Sequence, residues 1–324
     1  MVVRADPAKP SMNGAPDRLA QDAPANGFSI VVPTRGRGEQ LRSCLEAICE
    51  LDYPAERFEV IVVDDGSTAP LDALRRDFET RVRLTLAAQR PQGPAAARNA
   101  GARLARFDVL AFTDDDCRPA PDWLAVMATS FARSPDVAVA GRVVNAHTDN
   151  WFAEASAGLV DFIAEYYNAE PEHGRFGTCN NLAVPAEAFR SLGGFDPGFT
   201  LAAGEDRDFC DRWCAAGRRI DWRPDALVHH LKALTLHTFI RQQFNYGRGA
   251  YRYRRGRATR LGARLSLERP SFYLGLLRSA AAARRSRVAA VALTGLLGLA
   301  QVATLAGFVV ESVGVSRRAP ARPE

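Results

Sequence analysis

The chain has 324 residues, 47% of them hydrophobic and 24% charged, proportions that exclude a disordered, collagen-like or disulfide-stapled protein. Its six cysteines form no CxxC pair and no secretion signal precedes them, which fits small buried hydrophobes in a reducing compartment. The net charge of +5 hides an asymmetry, because residues 232–287 hold 14 Lys and Arg against one acid, Glu268, a local +13 that leaves −8 on the rest.

Residues 1–27, rich in Pro, Ala, Asn and Asp, read as a disordered leader with no apolar core of a targeting signal. From Phe28 the pattern changes. FSIVVP (28–33), FEVIVVD (58–64), VRLTLA (82–87) and DVLAFTD (108–114) read as strands. Between them RGEQLRSCLEAICE, APLDALRRDFE and PAAARNAGARLAR place apolar residues at helical spacing. Strand alternating with helix predicts an α/β fold with a mostly parallel sheet and crossover helices. Further on, helices are expected near 122–133, 151–167 and 205–216, a strand near 137–144, and a strand pair, RRIDWR and ALVHH, before the basic collar. The spacing divides the chain into a domain over 28–230, a basic helical segment over 231–287, an apolar helix over 288–310 and a short tail, 311–324. The apolar helix is 23 residues without a charge, long enough at ~1.5 Å per residue to cross a ~30 Å hydrocarbon core. With Arg284, Arg285 and Arg287 at its start, it reads as a single transmembrane span with the main domain on the cytoplasmic face. The collar then suits an anionic membrane, and no nucleic acid is expected.

Ligands of open α/β sheets bind beyond the carboxyl ends of the strands. Here those ends are Pro33-Thr34-Arg35, Asp64-Asp65-Gly66-Ser67 and Thr113-Asp114-Asp115-Asp116. Acids clustered at adjacent strand ends repel one another unless a cation sits among them, so they point to a divalent metal. A site built of carboxylates suits Mg²⁺ or Mn²⁺ with diphosphate oxygens completing the shell.

The ordered series FSIVVPTRGR, VIVVDDGS, GPAAARNAGA, VLAFTDDDC, GGFDPGF and GEDRDFCDRW resembles the nucleotide-diphospho-sugar glycosyltransferases of family 2, with the GT-A fold, over about 28–230. The resemblance implies roles. Pro33, Thr34 and Asp65 would hold the base and ribose, and Arg98 and Asn99 would close the nucleotide pocket. Of the Asp114-Asp115-Asp116 motif, Asp114 would face the ribose and Asp116 the metal, with Asp115 left open. Glu205 and Asp206 match the acceptor-side acid pair, Asp206 being the base that deprotonates an acceptor hydroxyl. A metal-binding histidine falls on His229 or His230, with His229 placed first, and Asn180 sits in the acceptor-side loop. Asp208 reads instead as an intrahelical partner of Arg212.

The expected activity is inverting transfer of a single sugar to a lipid-linked or glycan acceptor. The chain lacks the QxxRW motif of processive, polysaccharide-extruding members. A nucleotidyltransferase, or a non-catalytic membrane or nucleic-acid binder that uses the collar, are the alternatives.

Overall fold

The computed structural model describes residues 26–170, 173–265, 268–282 and 287–318. Residues 1–25 of the expected leader and 319–324 of the expected tail lie outside them.

Four parallel strands form one half of the sheet: β1 (Phe28–Thr34), β2 (Phe58–Asp64), β3 (Leu84–Ala88) and β4 (Val109–Phe112). Four more, β5 (Cys117–Pro119), β6 (Ala138–Asn145), β7 (Leu182–Pro185) and β8 (Ile220–His230), complete an eight-stranded sheet of order β3-β2-β1-β4-β7-β6-β8-β5. β7 runs antiparallel to β4 and β6, and β5 antiparallel to β8, so the sheet is mixed but mostly parallel.

β1 is buried along its whole length because helices cover both faces, which is why its sequence is a continuous apolar run. Ile30, Val32, Val60 and Val62 pack under α1 (Gly38–Cys49) and α4 (Trp123–Arg133). On the opposite face Val31, Ile61 and Val63 meet α3 (Pro94–Leu104). The short α2 (Asp72–Phe78) closes the β2 to β3 crossover. Beyond β4, an aromatic cluster joins Phe112, Phe189 of α6 (Ala186–Ser191), Phe195, and Phe209 and Trp213 of α7 (Glu205–Ala215), with ring centroids 5.1 to 5.8 Å apart. The Phe of GGFDPGF and the Phe of EDRDF are therefore packing residues that hold α7 against the sheet.

The expected strand pair RRIDWR and ALVHH is one strand, β8, with a bulge. Gly141 of β6 pairs with Arg223, whereas its neighbour Arg142 pairs with Leu227. Pro224, which has no N–H to donate, sits in the skipped stretch.

The collar folds as helices docked on this body. α5 (Trp151–Tyr167), α8 (Leu236–Leu261), α9 (Pro270–Ala282) and α10 (Arg287–Arg318) form a helical layer. α10 continues past the expected end of the apolar helix to Arg318. It is the one helix among the described residues that is long and apolar enough to cross a membrane, and only 22% of its most apolar stretch is buried. Leu293, Leu297 and Ala300 face inward, while Val288, Val291, Val302 and Leu305 form an exposed stripe. α8 and α10 approach closely. A Cβ on Gly247 would lie 1.8 Å from the Thr304 carbonyl oxygen, and one on Gly307 would lie 1.9 Å from that of Phe244. Much of the collar's charge is spent inside the molecule. Arg248 and Arg252 pair with Glu311, Arg254 with Glu268, and Arg257 and Arg260 with Asp211.

Candidate active site

The carboxyl ends of β1, β2 and β4 lie on one edge of the sheet, and the loop after β4 carries Asp114, Asp115 and Asp116 across it. Thr34 Oγ1, at the end of β1, donates to Asp115 Oδ2 at 2.7 Å. The Arg37 guanidinium bridges Asp115 and Asp116, 2.7 Å from each. Burial pushes the Asp115 carboxyl up to about 7, against the pull of Arg37. Asp116 is also buried, yet the hydrogen bond and charge of His230, with Arg37, hold it below the ordinary carboxylate range.

His230 Nε2 lies 3.3 Å from Asp116 Oδ1. Together with the Cys117 thiol these ligand atoms lie within 4.8 Å of one another, a grouping that suits a metal ion. The placement of His229 first is corrected here. The bulge in β8 sets the alternation that follows it, so Val228 and His230 turn toward the cleft side and His229 is exposed. Burial raises the Cys117 thiol well above its usual value while no metal is bound. A carboxylate beside an imidazole suits a divalent metal ion. The Arg37 guanidinium already lies on two of the acids, Asp115 and Asp116.

Arg98 joins the two sides of the cleft. Its side chain is 1% exposed, pairs with Asp114 at 2.5 Å and reaches Glu205 at 3.2 Å. Glu205 and Asp206 open α7, after Gly204 at φ 90°, a left-handed turn that favours glycine and where a Cβ would also meet the Gly249 carbonyl. Burial and the charge of Asp206 push Glu205 up to about 7. Burial likewise raises Asp206, partly offset by the Arg207 N–H that donates to its Oδ1 at 2.7 Å. The helix N-terminus therefore tempers the cost of holding this acid ionised without cancelling it. Asp208 pairs with Arg212 at 2.7 Å and also with Arg260.

One cavity of about 390 Å³ is lined by Arg37, Arg98, Asp114, Asp116, His230, Asn180, Glu205 and Asp206. Three hydrogen-bond acceptors that line it, Asn180 Oδ1, Glu205 Oε2 and Gln242 Oε1, are buried without a partner.

Two of the expected nucleotide ligands are engaged with the chain itself. Asn99 does not line this cavity; its amide donates to the Phe195 carbonyl at 2.7 Å and accepts from the Phe195 N–H at 2.9 Å, which makes it a clamp between α3 and the loop that leads from α6 to α7. The Asp65 carboxylate accepts from Gln89 Nε2 and from the Gln92 and Gly93 N–H groups, each at 2.8 Å, and so shapes the loop that enters α3. Pro33 is buried within β1. Sequence reasoning missed Arg37, Lys232, Gln242 and Tyr246 as cleft residues, and Cys117 as a neighbour of Asp116 and His230. Arg37 lay three residues past a strand end that faces three acids, a signal that was present. Gln242 and Tyr246, four apart on α8, had none beyond their spacing.

Residues 29–193 match the model of glycosyl transferase family 2. The pre-mycofactocin glycosyltransferase of Mycobacterium tuberculosis is 32% identical over 247 residues, which cover 72% of this chain and 49% of that protein. Validoxylamine A glucosyltransferase of Streptomyces hygroscopicus subsp. jinggangensis is 31% identical over 221 residues, 59% of this chain and 52% of that one. The chain spans about half the length of these curated relatives. Mannosyltransferase PcManGT from Pyrobaculum calidifontis, solved in complex with GDP-Man and Mn²⁺, has a TM-score of 0.57 at 22% identity, covering 90% of this chain and 80% of that one, a likeness of fold.

Proposed function

Since the chain belongs to glycosyl transferase family 2, we propose that its cleft moves one sugar from a nucleotide-diphospho-sugar to an acceptor hydroxyl with inversion at the anomeric carbon. The observation that carries this reading is that the Asp116 and His230 pair and the Asp206 carboxylate line a single cavity, with Arg98 between the two sides. Asp116 and His230 would hold Mn²⁺, or Mg²⁺, which when bound neutralises a diphosphate leaving group. Asp114, fixed by Arg98, faces the donor. Asp206 takes the proton of the acceptor hydroxyl as that oxygen attacks from the face opposite the leaving group, and a single displacement inverts the centre. A carboxylate raised by burial is a stronger base than one in water, which suits Asp206 to the task. Glu205 beside it has one oxygen on Arg98 and the other without a partner. Attachment to a membrane runs through the exposed stripe of α10, at the cytoplasmic face if Arg284, Arg285 and Arg287 follow the positive-inside tendency.

The test is a panel of UDP-, GDP- and dTDP-sugars with Mn²⁺, followed by Asp206→Asn against the donor that stabilises the protein. The substitution keeps the shape and removes the base, so turnover falls by about 10² to 10⁴ while donor binding persists. Near-normal turnover in Asp206→Asn would remove the base from the scheme.

A further inference from the structure

The cavity that contains Asp116 and Asp206 does not stop at the acids. It runs on between α5, α8, α9 and α10, where its walls become apolar: Leu159 and Ile163 of α5, Phe272 of α9, and the Thr304 side of α10. The charged groups at this end are engaged with the protein. Arg254 pairs with Glu268 at 3.2 Å, and Arg207 lies 3.9 Å over the Tyr167 ring. Between the acids and the apolar end stands Gln242. Its amide nitrogen donates to Ser156 Oγ at 3.0 Å and to Tyr246 Oη at 2.7 Å, which leaves its carbonyl oxygen buried and unpartnered. The other orphan atoms of the cavity are Asn180 Oδ1, Glu205 Oε2 and one donor, Arg98 Nε. A ligand that satisfies lone amide oxygens and a lone guanidinium N–H must both donate and accept, and hydroxyls do both. A ligand that fills the remaining walls must be apolar over most of its body, because few partners are left there for further polar groups.

We propose that the far half of this cavity receives the acceptor as a hydroxyl-bearing amphiphile. Its apolar body lies between α5, α9 and α10, and its hydroxyl is led past Gln242 and Tyr246 to Asp206. The proposal rests on the reading of Asp206 as the base of a sugar transfer, and it adds that α10 is a wall of the acceptor site as well as an attachment to the membrane. The same chemistry is offered by a lipid alcohol and by a water-borne apolar glycoside.

The test uses the full-length protein in phosphatidylcholine nanodiscs, with 2-naphthyl β-D-glucopyranoside as a fluorescent probe and empty nanodiscs as the baseline. Saturable binding that methyl β-D-glucopyranoside, which lacks the apolar body, does not displace is the expected result. Thr304→Phe fills the chamber from α10, and Ala157→Phe fills it from α5 should the first disturb helix packing; each weakens the probe at least about tenfold. Nucleotide binding with Mn²⁺, read on the same variants with UDP, GDP and dTDP, stays at the wild-type level and reports an intact fold. Displacement by farnesol marks a lipid alcohol as the source, and its failure marks a water-borne one; both keep the chamber. Probe binding in neither the wild type nor any variant, displacement by the methyl glycoside, or wild-type affinity in Ala157→Phe overturns the proposal. A wild type that binds the probe but no nucleotide sinks the donor reading and leaves the chamber standing.

Discussion

Arg37 lies between Asp115 and Asp116, where two buried acids demand a cation, and it would compete with a metal ion for Asp116. Arg37→Gln removes the competitor, so Mn²⁺ binding in the absence of nucleotide tightens by about tenfold, a change of about 1.4 kcal/mol, measurable by calorimetry or manganese resonance. Unchanged or weaker binding would mean that the guanidinium assists the metal instead. A second expectation concerns pH. Burial raises both Glu205 and Asp206 above the ordinary carboxylate range, so Asp206 takes up a proton at a higher pH than a free carboxylate would, and that proton removes the base. Turnover therefore declines on the acid side. The acid limb of the rate profile lies above the pH of a free aspartate; a limb at the free-aspartate position would show that burial does not raise the base. Asp114 to Asp116, Glu205 and Asp206 stand out in the sequence as short runs of acids, whereas Arg98, alone between Ala97 and Asn99, was singled out by the family resemblance. Both histidines were singled out, but which of His229 and His230 turns to the cleft was not legible, because the side on which a strand residue emerges depends on the bulge around Pro224, and a bulge leaves little trace in an alternating pattern.

At the scale of elements, the four parallel strands and their crossover helices followed from apolar periodicity: β1, β2 and β4 are buried runs, and β3 is a half-buried edge strand. The three-residue β5 and the antiparallel β7 carried too little pattern to be seen, being placed by pairing with strands far along the chain. The apolar helix was recognisable by composition, but its docking was not. That docking depends on Gly247 and Gly307 letting two backbones meet. Gly307→Leu forces α10 away from α8 and costs about 1 to 3 kcal/mol or more of stability, since backbone atoms stand in the way. Thermal unfolding and protease sensitivity around residues 287–290 report the loss. A variant as stable and as resistant as the wild type would mean that the two helices do not meet in this way. A chain cut near Arg287 would uncover Phe239, Ala153 and Leu276, so a fragment that ends there carries an exposed core.

For the whole molecule, the charge asymmetry is real but much of it is turned inward: Arg248, Arg252, Arg254, Arg257 and Arg260 all have acidic partners within the chain. Attachment that rested on those cations would be screened within ~8 Å at physiological salt, whereas the exposed stripe of α10 offers contact that salt does not weaken. The full-length protein is thus expected to remain with membranes through high-salt and alkaline washes and to leave with detergent; release by salt alone would return the main role to the collar. The close crossing of α8 and α10 has one more consequence. If α10 were a mere tether, any unrelated hydrophobic segment could be grafted in its place without loss. With two glycines setting its fit and its inner side closing a chamber next to Glu205 and Asp206, the helix is not interchangeable: a graft could match its apolar length and still leave the chamber without a wall.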